Sequence, residues 1–442
     1  MPPPQLRRLL GHEHQARSGG AGPANTEPYF SAESSSWRSP DDILSILMII
    51  GGDIVQRAVA QLAGSGPSHF APVAFSFGWL AYSVSALTSA VGDGRLLPPP
   101  DITAQVVNAH SGYGRENASW VLSRLLRDSE KHAVKDSPLT IVFFRTRRNG
   151  SAGFPARDWV YWSGVLVILA QLAIAAIPGA LNGNWIPLMV TAGGTVLALT
   201  ASGLPQWREE KFRAARKVKE GSREVVCITR GNGSAFAMVV ITDSGGIRLE
   251  DLAGGRFQRT VFTSIMSAVL CVLWVVLLLA VEGIQGDAWY LLAVGGLGMV
   301  QNVVAAGARR SAAALGFHFE RTTKDDVVTD LTDKKVMSTL QSAEEREAGV
   351  GLALLPLYFP GDLRAEEKAY WEQRKAATNK AQVPKSLEAR PPRTSEKKVP
   401  QTRADPAEKD IAESMPSVSF TDDASSSQTH PAASGHCGHV GQ

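Results

Sequence analysis

Cysteine is scarce in this chain, and what there is does not build structure. Cys227, Cys271 and Cys437 are an odd number at irregular spacing, which excludes a disulfide framework and fits a reducing surrounding for the polar parts. Charge of one sign is also missing. A net +3 over 442 residues offers nothing for a nucleic acid to bind, so no nucleic-acid partner is expected. The opening MPPPQLRRLLGHEHQARSGG has no apolar core for a signal peptide, and its prolines and lack of an amphipathic pattern make a poor mitochondrial presequence. Catalytic signatures are absent as well. There is no Gly-x-Ser-x-Gly, no His-Glu-x-x-His and no intramembrane aspartate pair. No catalytic residue, cofactor or metal is expected, and a lipid-acting enzyme is the least favoured reading. RGNGS at 230–234 lacks the spacing and the Lys-Ser/Thr of a phosphate loop. His430, His436, Cys437 and His439 are metal-ligand types without the paired spacing of a zinc module.

What the chain has is long apolar runs. A bilayer core about 30 Å thick needs roughly 20 apolar residues of helix. Six segments come close: Ile43–Leu62, Ala71–Val91, Trp159–Ile177, Ile186–Leu204, Val261–Val281 and Trp289–Gly307. The fifth is apolar on every face, which a soluble helix rarely is. The first is interrupted by Asp53, Gln56 and Arg57. The loops within each successive pair are short and free of Lys and Arg. The two longer loops are basic, with eight Arg and two Lys over 92–157 and eight Arg and three Lys over 205–260. Arg145, Arg147, Arg148, Arg157, Arg208, Lys211, Arg256 and Arg259 lie close to helix ends, and Arg309 and Arg310 follow the last span. By the positive-inside rule that side is cytoplasmic, with both termini on it. Trp159, Trp162, Trp185, Trp207, Trp289 and Tyr290 sit at expected helix ends, where amphipathic rings favour the interface.

The fold class expected is thus an α-helical polytopic membrane protein, a six-helix bundle of three hairpins with a small cytoplasmic α/β domain formed from two loops. In chain order it has a disordered cytoplasmic N-terminus (1–40), a first transmembrane hairpin (41–91) and a cytoplasmic β-α-β loop (92–157). A second hairpin (158–204), a cytoplasmic basic helix plus β-hairpin (205–260) and a third hairpin (261–308) follow. A cytoplasmic helical region (309–378) and a disordered tail (379–442) complete it. In the first loop, Ile102–Asn108 and Leu139–Phe144 read as strands around a helix at Glu116–Asp128. In the second, a basic helix at Glu209–Lys219 precedes strands Glu224–Thr229 and Ala235–Thr242, joined by the RGNGS turn. A hairpin alone is marginal in water, so the first loop's strands are its natural partner, with C-terminal elements as further candidates. After the last span, Thr332–Ala348 and Ala365–Ala377 read as helices, separated by an apolar loop, GVGLALLPLYFPGDL.

DILSILMIIGGDIVQ, PVAFSFGWLAYSVSAL, VGDGRLLPPPD and ENASWVLSRLLRD, with VVCITRGNGSAFAMVVI and GVGLALLPLYFPGDL, together resemble a family of uncharacterised multi-spanning membrane proteins of filamentous fungi, over roughly residues 40–375. The resemblance implies a fungal membrane protein and transfers no catalytic or binding residue.

Asp53 and Arg57 are the sharpest local feature. They lie four apart on one helical face, and a charge at the bilayer centre costs about 2.5–3.5 kcal/mol on insertion scales. Three explanations stand: an ion, proton or substrate site; a self-neutralised pair locking the first span; or a first span that is short or re-entrant. Gln56, with Gln61, extends the polar stretch. Gln301 and Asn302 are partners across the bundle, with Gln171 a further candidate, and such amides most often act as interhelical glue. The glycines at 51–52, 193–194, 295–296 and 298 permit close backbone approach. Two functions follow. One is a non-enzymatic scaffold or regulatory protein, its partners the bilayer, cytoplasmic proteins and anionic lipid at the basic clusters. The other is a transporter or channel using Asp53, Arg57 and Gln301. Span length does not tell one membrane from another. The sequons at Asn117, Asn149 and Asn232 all fall in cytoplasmic loops. Glycosidase treatment of the native protein is therefore expected to leave its mass unchanged; a shift would invert the orientation.

Overall fold

The computed structural model describes residues 51–382, apart from short breaks at 65–69, 93, 148–152, 214–215, 256–259, 283–287 and 331–333. In chain order the elements are α1 (Gly52–Leu62), α2 (Gly78–Val91), β1 (Gln105–Asn108), β2 (Gly114–Glu116), α3 (Trp120–Ser129), β3 (Thr140–Arg145), α4 (Trp159–Asn182), α5 (Ile186–Ser202) and the short α6 (Gln206–Arg208). They continue with β4 (Glu224–Thr229), β5 (Phe236–Thr242), α7 (Leu249–Ala253), α8 (Val261–Glu282), α9 (Ala288–Gly307), β6 (Val327–Thr329), α10 (Val336–Arg346), α11 (Val350–Tyr358) and α12 (Ala365–Gln382).

Among the described residues three helices, α4, α8 and α9, are long and apolar enough to cross a membrane. A fourth crossing results if α5 is taken with the segment Gln206–Phe212, into which it bends by 42°. Their outer faces carry exposed apolar side chains such as Leu166, Leu169, Val272, Val276, Leu279 and Val300. Asp158 caps α4 by accepting a hydrogen bond from the Tyr161 amide at 3.2 Å.

The first expected hairpin is different. Residues 43–50 of its first helix lie outside the described part, and α1 itself has only 11 residues. The expected second span, 71–91, is not one helix. Residues 70–76 are irregular, with Val73 N donating to Ala71 O at 2.8 Å, and α2 starts only at Gly78. Pro72 disfavours helix in the residue before it, and side chains of the neighbouring helices bond the freed backbone, as described below.

The sheet is mixed and six-stranded, in the order β2-β1-β4-β5-β3-β6, with β3 and β5 its parallel pair. The β4–β5 hairpin forms as expected, pairing Val226 with Val240, and Gly231 and Gly233 take positive φ of 88° and 84° in its turn. Every residue of β4 and β5 is buried, because both faces are covered. Val226, Ile228, Met238, Val240, Val142 and Phe144 face α3 and the bundle in one continuous apolar core. The alternate residues Val225, Cys227, Val239, Ile241, Ile141 and Phe143 meet α10, α11 and α12 through Leu340, Val350, Leu354 and Trp371. Burying such side chains contributes roughly 1.5–3 kcal/mol each. The domain therefore draws on three chain segments: both loops and the region after α9.

Three local expectations are corrected. The basic helix expected at 209–219 stops after a π turn at Glu209–Arg213, because Val218 exchanges backbone bonds with Gly245 and Gly246 instead. The apolar stretch after Gly349 is the helix α11, not a loop. Its Pro356 falls in the last turn, and burial against the sheet outweighs the lost bond. The short edge strands β2 and β6, three residues each, went unanticipated.

Cys227 is fully buried in β4, and burial pushes its thiol up. Iodoacetamide at mild alkaline pH is expected to leave Cys227 unmodified in the native protein and to label it after denaturation. Native labelling, read by peptide mass spectrometry, would show that the layer of α10 to α12 does not cover the sheet.

Candidate functional site

The segment 70–77 lies inside the helical bundle. Backbone that is not helical leaves its N–H and C=O groups without internal partners, and each unpaired group in apolar surroundings costs several kcal/mol. Side chains from three helices answer them. Ser202 Oγ, at the end of α5, donates to Ala71 O at 3.0 Å. Gln171 Nε2 on α4 donates to Phe75 O and to Val294 O, both at 2.7 Å. Asn302 Nδ2 on α9 donates to Ala74 O at 3.1 Å and to Ser76 Oγ at 3.0 Å, and Trp79 Nε1 donates to Ala74 O at 3.0 Å.

Glycines make room for the segment. A Cβ on Gly164 would lie 2.1 Å from Pro72 O, and one on Gly298 would lie 1.8 Å from Phe75 O. Added to Gly194 or Gly295, it would strike the Phe75 or Phe77 ring, at 2.5 and 2.0 Å. Phe75 and Trp79 both stack on Trp274 of α8, with ring centroids 6.0 and 5.7 Å apart. The chain enters where α5 ends and reaches Phe77 beside Gly295, about 18 Å below the end of α9 at 1.5 Å rise per residue. There it turns and climbs back as α2. The linker that follows is tied to the π turn after α5, the Glu210 carboxylate accepting from the Leu96 and Leu97 amides at 2.8 Å. Residues 70–91 therefore enter and leave at the same end, as a re-entrant hairpin.

At that end the bundle is clamped to the sheet domain by buried cations. α1 and α9 both finish here, and their last carbonyls point away from any helical partner. Arg124 of α3, 1% exposed, donates to Ala306 O at 2.9 Å and to Asp101 at 2.6 Å. Arg127 reaches Gly307 O at 3.3 Å. Lys211 donates to Ala63 O at 2.7 Å. Arg310 forms a two-pronged pair with Asp158, both bonds 2.7 Å, and also donates to Gln61 O. Its backbone amide donates to Asp128 at 3.0 Å. Cations at helix C-termini meet the negative end of the helix dipole. Burial pushes the Arg124 guanidinium down, and Asp101 opposes that shift.

The residues singled out in the sequence divide between these two places. Arg57 pairs with Asp101 at 3.2 Å rather than with Asp53, which is exposed. Gln56 donates to Leu96 O at 2.8 Å. This charged face of α1 looks at the linker Leu96–Asp101, because α1 ends at the sheet side and gives its apolar face to the bundle. Gln301 donates to Ser163 Oγ of α4 at 3.0 Å, while its neighbour Asn302 holds the re-entrant segment. Asp53, Gln56 and Arg57 thus do not share a site with Gln301 and Asn302. Sequence reasoning missed Asp101, Arg124, Asp128, Asp158 and Ser202, and took Lys211 and Arg310 only as markers of orientation. One signal was available: Trp120, Arg124 and Asp128 share a helical face with the apolar positions of α3. Among the described residues, no group of three or more His, Cys, Asp or Glu could hold a metal ion.

The glycine slot predicts a contrast between neighbours. Gly298→Ala or Gly164→Ala forces backbone to move and is expected to destabilise by about 1–3 kcal/mol or more. Gly296→Ala meets nothing within 4 Å and should be neutral. Thermal unfolding of the three variants in detergent checks this; equal behaviour would remove the slot. No family model, no curated protein and no solved structure matches this chain.

Proposed function

We propose that the protein is an integral membrane protein and works as a non-enzymatic scaffold or regulatory protein, its α/β module held on the cytoplasmic side. α4, α5, α8 and α9 form two crossing hairpins. The single sheet supports this arrangement. β3 precedes α4, β4 and β5 lie between α5 and α8, and β6 follows α9. Strands paired in one sheet lie on one side of a bilayer, so each intervening helix pair crosses and returns. The basic flanks beside these helices favour the cytoplasm for that side. The six-crossing arrangement gives way to four crossings with a re-entrant hairpin and the short α1. The expected side of the N-terminus falls on residues outside the described part. A place among the fungal membrane proteins rests on the quoted strings alone.

The observation that carries the scaffold reading is the buried clamp. Arg124, Arg310 and Lys211 tie the module to the ends of α1 and α9, so module and bundle move as one body. Gln171, Asn302 and Ser202 give their donors to the re-entrant backbone. The transporter or channel reading has one observation in its favour, since backbone broken within a bundle is how many transporters build ion and substrate sites.

Purified protein is expected to resist carbonate extraction and, in sealed vesicles, to add no proton or small-ion flux above protein-free controls. A flux that Gln171→Leu abolishes, with insertion intact, would replace the scaffold by a transporter.

A further inference from the structure

A cleft of about 610 Å³ opens where α2, the linker after it and the start of α3 meet. Neither the clamp nor the re-entrant segment uses it. Its wall carries charge of both signs, from Arg95 on the linker, which also donates to Gly255 O at 3.4 Å, and from Glu116 on β2, both exposed. Glu210 also lines it, with its carboxylate spent on the Leu96 and Leu97 amides. Ser85 and Ser89 of α2 add hydroxyls, and Pro99 adds an apolar wall. Trp120 lines the cleft too. It is 2% exposed, and its indole N–H has no hydrogen-bond partner. A buried donor left unpaired costs about 1–3 kcal/mol, so a ligand acceptor there is favoured.

The depth of the cleft follows from helix geometry. α2 starts deep, with Gly78 against Gly51 and Phe77 against Gly295. At 1.5 Å per residue, Ser85 and Ser89 lie about 10 and 16 Å higher, close to the level where α9 ends. In a bilayer this is the headgroup layer. Just below Ser85 on the chain, Val84 is 47% exposed.

We propose that this cleft binds the headgroup of a phospholipid that carries a primary amine. Arg95 takes the phosphate, Glu116 takes the ammonium, and the acyl chains run down past Val84. A purely anionic headgroup would set its charge against Glu116, and a trimethylated amine has no N–H to give it. The assignment rests on the membrane reading above, which supplies the lipid. The same chemistry occurs in soluble phosphoethanolamine, and the commitment here is to the lipid.

The test uses the full chain in detergent micelles, with binding read by native mass spectrometry. The probes are phosphatidylethanolamine, phosphatidylcholine, phosphatidylglycerol and phosphoethanolamine. Phosphatidylethanolamine is expected to bind about tenfold more tightly than the other two lipids, the scale of one charge-assisted hydrogen bond. Glu116→Gln should erase its advantage over phosphatidylcholine, and Arg95→Gln should weaken both alike. Both residues are exposed, so folding should survive, and Ser89→Trp gives an independent variant that fills the cleft and should abolish binding. Equal binding of all headgroups, or an advantage that outlives Glu116→Gln, overturns the proposal. Phosphoethanolamine binding as tightly as the lipid also overturns it, in favour of a soluble ligand. Loss of the protein on carbonate extraction is a separate failure, that of the membrane reading itself.

Discussion

Two helices, α1 and α9, end inside protein rather than in water, and most of the architecture follows from what satisfies those ends. The last turn of a helix leaves carbonyls without partners and a partial negative charge. Arg124, Arg127 and Arg310 supply donors and positive charge together, with Asp101, Asp128 and Asp158 holding them in place, while Lys211, whose ammonium burial and Arg310 push down, supplies a donor to Ala63 O. The arginines come from α3 and from the segment after α9, and Lys211 comes from the turn after α5, so one network draws on three separate parts of the chain. Removing Arg124 or Arg310 would strand a carboxylate as well as a carbonyl, which couples the members of the clamp.

The same requirement operates deeper in the bundle. The segment 70–77 has no helix of its own to satisfy its backbone, and Gln171, Asn302 and Ser202 serve it. Amides are suited to this, since a carboxamide offers two N–H donors without a charge to desolvate. The glycines on α4, α5 and α9 bring helix backbones close enough for those bonds to form. Gln171 and Asn302 therefore support this backbone, while Gln301, and Gln171 through Val294 O, link α4 to α9. This is the physical ground for preferring a rigid anchored module over a conduit.

Much of the domain was legible in the chain. The β4–β5 hairpin could be read from apolar runs around a Gly-Asn-Gly turn, because both period and turn chemistry are local. The helices α4, α5, α8 and α9 could be read from hydropathy, since length and apolarity suffice for a crossing. Other elements were not legible. The α11 stretch before Pro356, residues 350–355, becomes helix because the sheet buries it, and β2 and β6 are too short to show a pattern. Asp53 and Arg57 have the spacing of a pair, yet Asp101, distant in sequence, is the partner Arg57 takes.

The sequence by itself determined which stretches are apolar enough to leave water, where the basic flanks lie, and that a small sheet must be assembled from separated loops. Tertiary structure alone decided that Ala71–Val91 enters the bundle and returns to the end it came from. Hydropathy is blind to that return, since it measures only the cost of burying side chains. Whether backbone can leave the helix depends on donors and gaps that other helices provide, and Gln171, Asn302, Gly164 and Gly298 lie up to hundreds of residues away.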